Sequence, residues 1–211
     1  MPLLTTFKKL DECFGQPLTL TNLRAVILLM LRTHYGDSGN FGDQYEALKC
    51  LVYDPDEPDA STLGIELGSV LSTKNPGPRP GIYVDFDGKT VWKKKVLNNS
   101  AGWSEDNSTQ NFAWLVETNI IVSHLSDSID LSLTMAESST SLFLGLRTHL
   151  MKTLNIASFE VQALSFPKPP EKDIERYYRV DLILSFTFSF HMSVNLESHR
   201  LKKFALELSS T

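Results

Sequence analysis

Cysteine is scarce: Cys13 and Cys50 are the only two in 211 residues, and they stand in unrelated contexts. Neither a disulfide framework nor a zinc pattern follows, which leaves two reduced thiols in a protein made in a cytoplasm. No apolar run approaches the roughly 20 residues that span a bilayer; the longest is Ala25–Leu31. The opening MPLLTTFKKLDE has no signal-peptide core, so neither export nor a membrane partner is expected. Net charge is −5, which excludes a global bias toward nucleic acid or anionic lipid. His34, His124, His149, His191 and His199 form no i, i+4 pair. Gly36, Gly39 and Gly42 are not followed by the Lys-Ser/Thr of a phosphate-binding loop, and no Gly-x-Ser-x-Gly elbow occurs. The acidic run Asp54–Asp59 lacks EF-hand spacing and its glycine. No cofactor is expected.

What the chain does have is alternation. From Tyr178 to Leu196 every second residue is apolar or aromatic, and with the exception of Ile183 the residues between are polar or small. Strand side chains alternate between faces, so this reads as one long strand with a greasy face and a wet face. At about 3.3 Å per residue it runs roughly 60 Å, three times a typical strand. Such a strand bends at mid-length or leaves the domain as an arm.

The rest of the order follows from local signals. Residues 18–35 read as a helix capped by Thr19 or Thr21, with Leu23, Val26, Ile27, Met30 and Leu31 on one face. A shorter helix is expected around Tyr45, Leu48 and Leu51, and a short strand or helical turn at 63–71. The rigid stretch Asn75–Gly81 is the best boundary. It divides an N-terminal helical region (1–75) from a core (76–197) and a charged tail (198–211). Ile82–Phe86 reads as a strand, Asp87-Gly88 as a two-residue hairpin turn, and Thr90–Leu97 as the returning strand. A third strand covers 111–124 and a helix 127–154, with Leu133, Ala136, Phe143, Leu144, Leu150, Met151 and Leu154 as its core stripe, interrupted by Ser138–Ser141. A fourth strand lies near 158–166. Without regular β-α alternation, the order predicts an α+β fold: a mainly antiparallel sheet on one long helix, with N-terminal helices and a long β-hairpin or arm.

Leu23–Tyr35, the proline-led strand Arg79-Pro80-Gly81-Ile82-Tyr83-Val84, the strand Phe112–His124, the helix containing Ala136 and the closing strand pair together carry a resemblance. The chain resembles the tail-terminator and head-to-tail joining (neck) proteins of tailed bacteriophages over roughly residues 20–197. The resemblance rests on element order and texture, without a signature motif. It implies a non-enzymatic virion protein, made in the host cytoplasm. Copies would form a ring, six by resemblance, that terminates the tail tube and docks it to the head connector or neck proteins, with DNA contact in its channel. Two features depart from a minimal member: the extra length of the last strand, and the elaboration at 36–80.

One enzymatic pattern competes. Ile82-Tyr83-Val84-Asp85-Phe86-Asp87-Gly88-Lys89-Thr90 looks like the nucleophile motif of haloacid-dehalogenase-like phosphatases. That likeness implies Asp85 as nucleophile, Asp87 as acid/base and a bridging Mg²⁺. Against it, Lys89 replaces the motif's threonine, a lysine-rich strand follows, and no acidic pair completes the metal site.

Lys93-Lys94-Lys95 is the single basic cluster, and alternation turns Lys94 away from Lys93 and Lys95. Lys93 and Lys95 are therefore the candidate contacts for DNA phosphate or an acidic partner. A helix rising 1.5 Å per residue covers about five or six positions of the long greasy face. The remainder calls for another chain, so Phe186, Phe188, Phe190, Met192 and Val194 are the expected interface. A lipid-facing barrel stave is a further reading, but only one such strand is evident.

Overall fold

The structure, a computed structural model, describes residues 18–68, 79–94, 100–103, 109–169 and 177–195. Helix α1 (Leu20–Tyr35) begins where the Thr19 hydroxyl accepts the Asn22 amide proton, satisfying one of the unpaired donors of the first turn. Its aliphatic run puts Leu23, Val26, Ile27, Met30 and Leu31 on one buried face. The expected second helix is instead two short 3₁₀ turns, Ser38–Asn40 and Asp43–Leu48, with Tyr45 outside helical backbone geometry. Strand β1 is Gly64–Leu67, β2 Gly81–Lys94, β3 Ser100–Trp103 and β4 Thr109–Ser126. Helix α2 (Ile129–Thr153), β5 (Ile156–Leu164) and β6 (Tyr178–Asn195) complete the order.

The fold is α+β. The sheet runs β1-β2-β4-β6-β5, with β3 also on β4; β1 pairs with β2 in parallel and the other pairs are antiparallel. β1 comes from the 36–80 elaboration, so part of that segment is a strand of the main sheet. α1 and β1 share one apolar core with the later elements.

Asp87-Gly88 does not make a hairpin. Ile82–Phe86 and Thr90–Lys94 are two halves of the same strand, both antiparallel to β4: Phe86 stands opposite Ile120 and Thr90 opposite Thr118. Asp87, Gly88 and Lys89 therefore face the single residue Asn119, a bulge of two extra residues that Gly88 accommodates at φ +68°. The 18-residue β4 offers a partner to both halves, and that long register outweighs the local turn chemistry.

Both helices cover the same face of the sheet. β6 contributes Val180, Leu182, Leu184 and Phe186, all at 0% exposure, and Phe188 at 1%. α2 supplies Met135, Ala136, Leu142, Phe143 and Leu150, whereas Leu144 points outward at 55% exposure. The Tyr35 hydroxyl donates to the Met135 carbonyl at 2.8 Å and so locks α1 against α2. On the opposite face Asn119, Ile121, Ile183, Ser185 and Thr187 remain half-exposed.

Candidate functional site

β4 and β6 pair without a break over 18 residues, Thr109 with Asn195 through Ser126 with Tyr178. That is roughly 60 Å of ribbon, while the 25 residues of α2 extend about 37 Å. β5 begins its pairing with β6 at Phe188. From Ser189 to Asn195, among the described residues, no strand lies on the side of β6 away from β4. Among the described residues the sheet therefore outruns its helix layer and this edge of β6 has no partner strand, a surface that invites another strand.

At the start of this overhang Trp92, 46% exposed, meets the half-buried Phe190 edge-on at 5.3 Å between ring centres. Trp114, opposite Phe190 in the register, is also half-exposed. Of the expected interface residues, Phe186 and Phe188 lie inside the chain's own core, where Phe159 stacks on Phe186 at 4.8 Å. Phe190 is the one at the rim. Met192 and Val194 stand opposite Phe112 and Gln110, and their side chains lie outside the described residues. Lys93 bonds Glu117 on the neighbouring strand at 2.6 Å; Lys95 lies outside the described residues.

Asp85 and Asp87 do not end a strand, as the phosphatase motif needs, because β2 continues through the bulge to Lys94. Asp85 accepts the Phe86 amide and sits 3.8 Å from Arg24, whose guanidinium lies over the Phe86 ring. Asp87 accepts weakly from Asn119 at 3.4 Å. Among the described residues no three histidine, cysteine or carboxylate side chains converge on one point.

A polar seam runs between the helices. His34 Nε2 lies 2.9 Å from Ser138 Oγ, His124 Nε2 lies 2.8 Å from Ser139 Oγ, and Ser139 lies 3.1 Å from the Tyr35 hydroxyl. The other nitrogen of His124 faces the Val180 carbonyl at 3.3 Å. Burial lowers the pKa of both histidines to about 4, in His124 against the pull of the Val180 carbonyl and the Asp181 charge. From Val180 O through His124, Ser139 and Tyr35 to Met135 O there are four contacts between two carbonyls. A neutral imidazole and two hydroxyls supply three protons, so one contact stays without a hydrogen; the 3.3 Å one is the longest.

The seam opens into a cleft of about 410 Å³ between the 3₁₀ turns and α2. Leu142 and Leu146 form its apolar wall, His34, Tyr45 and Ser141 its polar side, and Gly145 its mouth. The described residues lining it carry no charged side chain, since His34 is neutral above about pH 4.

Beyond β5 the chain makes a hook. Ser165 N donates to the Asp181 carbonyl and Asp181 N to the Ser165 hydroxyl, both at 2.8 Å. Lys168 and Arg179 exchange backbone hydrogen bonds at 2.8 and 3.1 Å. Asp181, 5% exposed, accepts from Arg179, Ser123 and Lys168 at 2.6–2.8 Å. Burial alone would raise its pKa; these donors together hold it below the usual carboxylate value. Phe166, between the two anchor points, is 92% exposed.

No family model matches the chain, and no curated protein matches it. Among the described residues no helix is long and apolar enough to cross a membrane. The seam histidines, the cleft and Phe166 were not singled out from sequence: their partners lie far along the chain, and one exposed phenylalanine leaves no periodic signal.

Proposed function

We propose that this chain is a structural virion protein. Its copies form a ring, six by the family resemblance, at the head–tail junction of a tailed phage, ending the tail tube and receiving the head connector. The observation that carries self-assembly is the sheet overhang: an edge of β6 over seven residues, Ser189–Asn195, that has no partner strand among the described residues and lies next to the half-exposed rings of Trp92, Trp114 and Phe190. Exposed edges and aromatic stripes of this kind are ordinarily paired or covered, and strand addition by a neighbouring copy does both. Head-to-tail contacts of one chain close into rings when their rotation permits. The head–tail location rests on the resemblance in element order alone.

Native mass spectrometry with negative-stain imaging of the purified chain tests the reading. Closed rings that also bind isolated tail tubes are expected. A monomer that also fails to bind tubes overturns it. Asp85→Asn separates the phosphatase alternative: ring formation should be unchanged, whereas a Mg²⁺-dependent phosphatase activity abolished by this substitution would overturn the structural reading.

A further inference from the structure

We draw no further inference here: the strongest candidate, the cleft of about 410 Å³ between the 3₁₀ turns and α2, carries nothing because nothing among the described residues shows what fills it.

Discussion

His124 on β4 and Ser139 on α2 meet at 2.8 Å, and this contact fastens the sheet to the helix layer where both residues have 0% exposure. Its partner contact, His34 to Ser138, does the same between the helices. Both depend on an imidazole that stays neutral.

Acid should therefore weaken the fold. The folded pKa of each histidine, about 4, lies below the ordinary 6.5, so the unfolded chain binds these protons first. The stability they confer is complete above about pH 6.5 and is lost as pH falls toward 4. By linkage this is on the order of 3 kcal/mol per histidine. Asp181, whose folded pKa is lowered, adds a loss of the same sign at lower pH. Urea midpoints measured from pH 7 to pH 5 should fall steadily; a flat profile would contradict neutral burial.

Phe188→Ala should cost about 3–5 kcal/mol, the range for emptying a buried aromatic site, because Phe188 is 1% exposed. Trp92→Ser, at a position 46% exposed, should change stability by less than about 1 kcal/mol and instead reduce assembly. Paired urea melts and native masses separate the two effects. Equal melting losses in both variants would place Trp92 in the core.

The difference between these two residues was only half legible in the sequence. Alternation gave β6, β4 and the face carrying Phe188, and helical spacing gave α1 and α2 nearly to their ends. The helix's rise allowed about five or six covered positions but did not say which ones on an 18-residue strand, so Phe186 and Phe188 looked as available as Phe190. Asp87-Gly88 carried a sound local turn signal that a long-range register overrode. Ser138–Ser141 looked like a flaw in a core stripe because His34 lies 104 residues from Ser138. β1 lies within 63–71, where a short strand and a helical turn were both open, because four residues are too short a pattern to choose between them.

Arg79→Ala should release the loop at 57–61. One terminal nitrogen of Arg79 donates to the carbonyls of Pro58, Asp59 and Ser61 at 2.6, 2.9 and 2.9 Å. Losing a charged donor to several carbonyls should cost about 2 kcal/mol. Hydrogen exchange should rise at Ala60 and Ser61, whose amides bond Glu57. Unchanged protection there would show that the loop holds itself.

Gly88→Val should destabilise by about 1–2 kcal/mol, the penalty of left-handed backbone for a residue with a Cβ. Space is not the obstacle, since an added Cβ meets nothing within 4 Å. Gly88→Asn should cost less, because asparagine tolerates that conformation. Melting temperatures of the two variants give the comparison, and equal losses would point to a cause other than φ.

The bulge at Asp87–Lys89 adds an even number of residues, and so conserves parity along β2. Ile82, Val84 and Phe86 before it and Thr90 and Trp92 after it all share the helix-facing side with Ile120, Thr118 and Val116. A bulge of one residue keeps the faces as well: β5 has one extra residue against β6 at Ala157, and both Ile156 and Phe159 on either side of it are buried. Length at this point of β2 is thus a free variable, because the register with β4 on either side decides which side chains face inward. A homologous chain with one residue more or fewer here should still set the counterpart of Trp92 beside that of Phe190.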